Sequence, residues 1–356
     1  MNNFSQHIFN QIVAGILIAS GFQACSSVTE NLGVISLAGK DTYLTSNPPF
    51  LDSDRLETIS QSVILVNSIT YYRVFYFPES KNVSVADLKR RSPEAYATDL
   101  KIKNEPSTGT GLVIHNRDSK LAVLTCLHVI MKPDTVYQYY TSKNSDGLPH
   151  LRTLALKLST DLFLPEYPEL DRLSILSFDQ QLDVAILGQA VTTTTSSQIS
   201  EFKGKPGNSS KLKLGTLAYH FGYPAAQKQM TTGLITMGRR NSNEFISDAV
   251  TNKGYSGGPV FAYRFNSSEP EWIGITRSSP VHYEWVVAPM EDFDESVEVR
   301  EFSDGKLLIK RQTIQHYGTT NTLSINSILK FISNNQNNLK EKGYYLRFSE
   351  EPLKSD

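Results

Sequence analysis

The sequence predicts an all-β protein, two β-barrels in tandem followed by a single helix. Three observations lead there. β-Branched and aromatic residues gather in short runs, such as Val63–Phe77 (VILVNSITYYRVFYF), Leu121–Thr125 and Leu182–Leu187, which suit a pleated, half-buried surface. Glycine and proline punctuate these runs, as in Phe221-Gly222-Tyr223-Pro224 and Gly254–Pro259, the pattern of short strands joined by tight turns. Helical spacing of apolar residues comes late, in Thr322–Ile332 (TLSINSILKFI).

A chain of 356 residues can bury a large core. Its 39% hydrophobic and 20% charged content describes a globular protein. A net charge of −1 gives no electrostatic footprint for nucleic acid. Two cysteines, Cys25 and Cys126, cannot make a disulfide-stapled scaffold, and seven scattered histidines without a paired-ligand motif argue against zinc.

Taken in order, Ile8–Phe22 is a 15-residue, mostly apolar stretch, short for a membrane span and right for the core of a signal peptide. Phe22-Gln23-Ala24-Cys25-Ser26-Ser27 follows and resembles the lipobox of bacterial lipoproteins. That resemblance implies a signal over 1–25, lipidation of Cys25 and attachment to a membrane surface by acyl chains. Phe22 and Gln23 depart from the usual lipobox, so simple secretion or a retained apolar anchor stay open. Residues 26–60 read as a tether with a short docking segment. The folded body is expected over 61–335, as barrels 61–190 and 205–335, with a polar tail over 336–356.

Within the first barrel, Val63–Phe77 begins the strands and Ser84–Asp87 matches a capping box that starts a short helix. Ser107–His115 is a glycine bend entering an apolar strand, and Leu121–Thr125 delivers Cys126-Leu127-His128. Residues 131–180, Tyr-rich with turn signals at Asp146-Gly147 and Pro165–Pro168, read as loop elaboration. Thr192–Ser200 is polar and low in complexity, which suits a linker. In the second half, Glu291–Glu298 is an acidic run, and Val299–Ile314 with Ser303-Asp304-Gly305 reads as an inserted hairpin.

Three residues stand out chemically. Ser256 sits in Gly254-Tyr255-Ser256-Gly257-Gly258-Pro259, where glycines permit a sharp turn that exposes a hydroxyl beside backbone N–H groups. Asp183 opens an apolar strand, and a carboxylate entering a core needs a partner. His128 follows a buried strand and offers imidazole, a base near neutral pH. Each alone also fits a structural role: a Gly-rich turn, a strand-opening Asp, a satisfied histidine.

Together, in the order His, Asp, Ser, they resemble trypsin-like (chymotrypsin-fold) serine proteases, in the style of bacterial HtrA/Deg-type and glutamyl endopeptidases. Thr125–Val129 matches that family's histidine motif, Leu182–Leu187 its aspartate motif, Ser247–Pro259 its serine motif, and Gly274-Ile275 the strand beyond; the likeness spans roughly Val63–Ile332. The resemblance implies two six-stranded barrels of the chymotrypsin type. It implies Ser256 as nucleophile, His128 as general base, Asp183 as its orienting acid, and the N–H groups of Gly254 and Ser256 as the oxyanion hole. No metal or organic cofactor is required, and the partners implied are protein or peptide substrates. Val250 and Thr276 fall at positions of the primary specificity pocket; neither is charged, which favours an apolar or small substrate residue. Tyr255 stands where zymogens of the family carry Asp, so activation by N-terminal cleavage is not expected. Cys126 has no expected partner if Cys25 is lipidated.

An exported serine endopeptidase of the cell envelope is the leading expectation. An envelope lipoprotein keeping the barrels as a binding module is the alternative, and an esterase using the same residues is a third.

Overall fold

The β-branched run that opens the body forms β1 (Val63–Tyr76), preceded by α1 (Ser53–Ser60), in the computed structural model. The structure describes residues 42–48, 53–143, 149–241, 243–265, 267–278, 281–289, 307–315 and 317–349. Beyond Thr42 these all belong to the unit Tyr43–Asp356. Upstream of α1, Leu44 N–H donates to the Tyr263 carbonyl and the Leu44 carbonyl accepts from Leu217 N–H. Part of the expected tether is therefore stitched onto the second barrel.

β1 lies between β2 (Asp99–Arg117) and β5 (Pro149–Phe163), antiparallel to both. With β3 (Lys120–Cys126), β4 (Thr135–Lys143), β6 (Ser174–Asp179) and β7 (Val184–Ala190) they make a seven-stranded sheet in the order β4-β5-β1-β2-β3-β7-β6. The sheet curls as a half-barrel of seven strands where six were expected. Three of its strands, β4, β5 and β6, come from residues 131–180, whose sequence reads as loop. Tyr137 and Tyr139 stay exposed on the edge strand β4, so the apolar/polar alternation that marks a half-buried strand is missing there. The capping box between β1 and β2 forms as expected: Ser84 caps α2 (Val85–Leu88), and the Asp87 carboxylate takes the Ser84 N–H at 2.9 Å.

Thr192–Ser200 is ordered as well, Thr192 capping the helix α3 (Thr193–Gln198). Beyond it, β8 (Leu217–Gly222), β9 (Gln229–Asn241), β10 (Glu244–Ser247), β11 (Pro259–Tyr263), β12 (Pro270–Ser278) and β15 (Thr320–Ser324) close into a six-stranded barrel, in the order β10-β15-β12-β11-β8-β9. Two intervening strands, β13 (Val281–Pro289) and β14 (Leu307–Gln315), pair, among the described residues, with each other alone. The hairpin expected over Val299–Ile314 thus has its first strand further upstream, and its Ser303-Asp304-Gly305 turn lies outside the described residues.

The predicted helix is shorter than its pattern. Thr322 and Leu323 stay in β15, and Ser324 caps α4 (Ile325–Asn334) by accepting the Ser327 N–H. Ile325, Ile328, Phe331 and Ile332 of α4 are buried in a cluster that runs from Val63 and Leu112 in the first sheet to Phe261 and Trp272 in the second. Phe202, between the barrels, packs against Phe261, Trp272 and Phe348 with ring centroids 5.5, 5.8 and 6.0 Å away. Burying side chains of that size stabilises by about 1.5–3 kcal/mol each, so the two halves share one core. The architecture is that of a chymotrypsin-like double barrel with C-terminal helices. No helix among the described residues is long and apolar enough to cross a membrane; Ile8–Phe22 and Cys25 lie outside them.

Candidate active site

The ladder between β3 and β7 ends with Cys126 opposite Val184, so the residues just beyond each strand emerge together. These are Leu127-His128, in a single turn of helix (Leu127–Ile130), and Asp183. Asp183 has φ of +55°, a left-handed conformation that Asp tolerates better than most residues but that still carries strain. The bend is held by Leu127 N–H donating to the Asp183 carbonyl at 3.2 Å. The carboxylate accepts twice from one residue: Oδ1 from the His128 backbone N–H at 2.9 Å, Oδ2 from Nδ1 at 2.7 Å. A proton on Nδ1 leaves Nε2 as the open acceptor. The imidazole is 47% exposed and the carboxylate 17%, so the ring faces solvent with its acid behind it. Burial pushes the Asp183 carboxyl up, but the bonds and charge of His128, with help from Arg277, outweigh that and hold it below its ordinary value.

Ser256 lies on a turn that only glycines can make. Gly254 and Gly257 have φ of +109° and +86°. A Cβ on Gly257 would sit 2.1 Å from the Thr110 carbonyl oxygen and 2.4 Å from Thr125 Oγ1. The turn is thereby pressed onto β2 and β3, the strand that leads to His128. Thr110 ties it down, its N–H donating to the Ser256 carbonyl at 2.8 Å and its hydroxyl to the Gly254 carbonyl at 2.5 Å. From the other side Gly257 N–H bonds the Thr276 carbonyl, and Thr276 N–H the Gly258 carbonyl, both at 2.8 Å. Among the described residues no acceptor engages the N–H groups of Gly254 or Ser256, whereas those of Tyr255, Gly257 and Gly258 are bonded.

The Ser256 hydroxyl donates to the Arg277 carbonyl at 3.0 Å and not to His128. Arg277 touches the other half of the site too. Its Nε is 3.6 Å from Asp183 Oδ2, and its guanidinium is paired with Glu244 on β10. One residue so meets the serine through its backbone and the aspartate through its side chain. Sequence reasoning missed Arg277 and Glu244; a lone Arg after an apolar strand reads as surface, and only its adjacency to Thr276 marked the place.

The two pocket candidates are placed differently. Val250 is half-exposed, whereas Thr276 is buried, its Oγ1 2.9 Å from His220 Nδ1. His220 Nε2 reaches Ser247 Oγ at 3.0 Å. Full burial pushes His220 down to about 3, so it is neutral and ties Thr276 to the barrel floor. Tyr255 is buried, its ring lying where a Cβ on Gly222 would be. Cys126 is a free, fully buried thiol 3.4 Å from the Thr276 carbonyl, raised well above its ordinary value by burial. Cys126, His128 and Asp183 are the one group among the described residues whose donor atoms are close enough to share a metal ion. A thiol held protonated, and an imidazole already bonded to the carboxylate, make a poor ligand set.

Residues 109–275 match the family model of the trypsin-like peptidase domain. The matched segment contains His128, Asp183, Gly254 and Ser256 and stops just before Thr276 and Arg277. It covers a little under half of the chain, and with the double barrel it supports a peptidase of the chymotrypsin fold. No curated protein matches the chain.

Proposed function

We propose that this protein is a serine endopeptidase acting through an acyl-enzyme intermediate. The observation that carries the reading is the His128–Asp183 bond of 2.7 Å set against the Ser256 turn, where the N–H groups of Gly254 and Ser256 meet no acceptor among the described residues. Ser256 Oγ attacks the scissile carbonyl, His128 Nε2 takes the hydroxyl proton and returns it to the leaving amine, and Asp183 holds the tautomer and stabilises the imidazolium. The N–H groups of Gly254 and Ser256 receive the oxyanion. Before attack the hydroxyl must swing from the Arg277 carbonyl to His128, a side-chain rotation that costs one hydrogen bond, about 1 kcal/mol. Val250 and Thr276 favour an apolar or small residue before the scissile bond. Tyr255 fits an enzyme that is not activated by N-terminal cleavage. The Phe22–Ser27 pattern supports an envelope location with an anchor on a lipidated Cys25, and the substrates are proteins or peptides rather than nucleic acid. Radiolabelled palmitate incorporation that is lost in Cys25→Ser tests the anchor.

The rival reading, a silent barrel serving as a binding module, draws on the serine hydroxyl's bond to Arg277. Turnover of a peptide library decides between them. Wild type should cleave and Ser256→Ala should not, with amide bonds hydrolysed alongside esters. No turnover by wild type sustains the rival; hydrolysis of esters alone makes the protein an esterase.

A further inference from the structure

We propose that the cleft where α1, the end of β2 and the inter-barrel linker meet binds a phosphorylated polyol, a phosphate monoester that carries free hydroxyl groups. The cleft measures about 930 Å³, within the roughly 300–1,000 Å³ of small-molecule sites. None of His128, Asp183 and Ser256 lines it, so the inference does not rest on the peptidase reading.

The walls are fixed by bonds of their own. Asn116, at the end of β2, donates through Nδ2 to the Ser196 and Ile199 carbonyls at 2.8 and 2.6 Å. Its Oδ1 accepts from Ser196 Oγ at 2.9 Å. One side chain thereby staples the linker to the first sheet. Arg55 of α1 reaches the turn between β11 and β12, bonding the Ser268 carbonyl at 2.8 Å and pairing with Glu269 at 3.5 Å. A site held in shape this way loses little freedom when it binds, which favours affinity.

Charge sets the sign of the ligand. Arg55, Arg117, Lys203 and Arg347 line the cleft together with Glu201 and Glu269. Glu269 is paired with Arg55, and Glu201 stands 3.6 Å from Arg117. Lys203 and Arg347 are exposed and have no carboxylate partner among the described residues. Four cations against two carboxylates leave two positive charges, which a phosphate monoester at about −1.5 to −2 balances. The planar guanidinium forks of Arg117 and Arg347 suit a tetrahedral oxyanion that accepts paired N–H bonds.

A buried oxygen calls for the hydroxyl. The Glu201 side chain is only 9% exposed. Its Oε2 takes the Asn116 N–H at 3.1 Å, whereas Oε1 has no hydrogen-bond partner among the described residues. Arg117 covers that oxygen from just beyond bonding reach. Drawing the guanidinium onto a phosphate uncovers Oε1, and a buried acceptor without a donor is costly. A hydroxyl on the same ligand supplies the donor.

An acidic peptide would also bring negative charge, but the main-chain groups along this part of β2 are taken. Val113 N–H donates to the Ser62 carbonyl, the Val113 carbonyl accepts from Phe202 N–H, and Glu201 holds the Asn116 N–H. An added strand would find nothing to pair with there.

Calorimetry on the whole chain, with glucose 6-phosphate as the probe, tests this. Wild type should bind it, should not bind glucose, and should bind inorganic phosphate at least about tenfold more weakly. Lys203→Gln and Arg347→Gln, both at exposed positions, should each weaken glucose 6-phosphate by about tenfold or more. Glu201→Gln removes the acceptor and a negative charge together. It should weaken glucose 6-phosphate while inorganic phosphate binds as well as before or more tightly; a purely structural role would weaken both alike. Unfolding midpoints of the variants, read alongside, separate lost binding from lost fold. No binding of glucose 6-phosphate to wild type at millimolar concentration would overturn the inference. So would binding that all three variants leave unchanged, inorganic phosphate bound as tightly as the sugar phosphate, or a tetraglutamate peptide bound more tightly than either.

Discussion

Mild acid should loosen the floor of the second barrel through His220. Burial holds this imidazole at about 3, against an ordinary value near 6.5. Between those values the unfolded chain binds a proton that the folded chain refuses, so stability rises with pH there. The contribution is complete above about pH 6.5 and is lost as pH falls toward 3. Lowering pH from 7 to 4.5 spans about two units of that window and should cost roughly 2.7 kcal/mol; the full window is worth on the order of 5 kcal/mol. Against a typical total of about 5–15 kcal/mol, that is a large share. Urea titrations of wild type and His220→Gln at both pH values measure it, because other titrating groups cancel in the comparison. Wild type should lose about 2–3 kcal/mol more than the variant on acidification. Identical losses would refute the argument that His220 is buried and neutral between Thr276 and Ser247.

Gly257→Ala should destabilise by more than about 3 kcal/mol, because a Cβ meets the Thr110 carbonyl and the φ of +86° is unfavourable for alanine; thermal unfolding reads the loss. Arg277→Gln frees one side of the Asp183 carboxylate and should lower kcat about ten- to a hundredfold with little change in KM, and Glu244→Gln should do the same more weakly. Steady-state kinetics on one peptide separates these effects from lost binding. Cys126 should resist iodoacetamide in the native protein and react only as fast as the chain opens, since burial keeps the thiol protonated; mass-spectrometric alkylation across a urea series checks this.

The fold was legible wherever apolar residues ran together. Val63–Phe77, Leu121–Thr125 and Leu182–Leu187 became β1, β3 and β7, because strands buried on both faces leave continuous β-branched runs. Residues 131–180 were not legible, since exposed Tyr137 and Tyr139 sit where a core strand would show alternation. His128, Asp183 and Ser256 carried motifs that could be read locally. Arg277 could not be read that way. Its place against Asp183 and the Ser256 hydroxyl is set by the register of β12 on β15 and β11, which no local pattern encodes. His220 was equally silent: a lone histidine in Leu217–Gly222 looks like any other until its two hydroxyl partners, 27 and 56 residues further on, are brought to it.

Reaction with a fluorophosphonate, followed by mass mapping of the labelled peptide, tests most directly whether the three side chains act together. The adduct should form on Ser256, vanish in Ser256→Ala, and slow by orders of magnitude in His128→Ala. A wild-type protein that stays unlabelled, or that labels equally well without His128, would contradict the account.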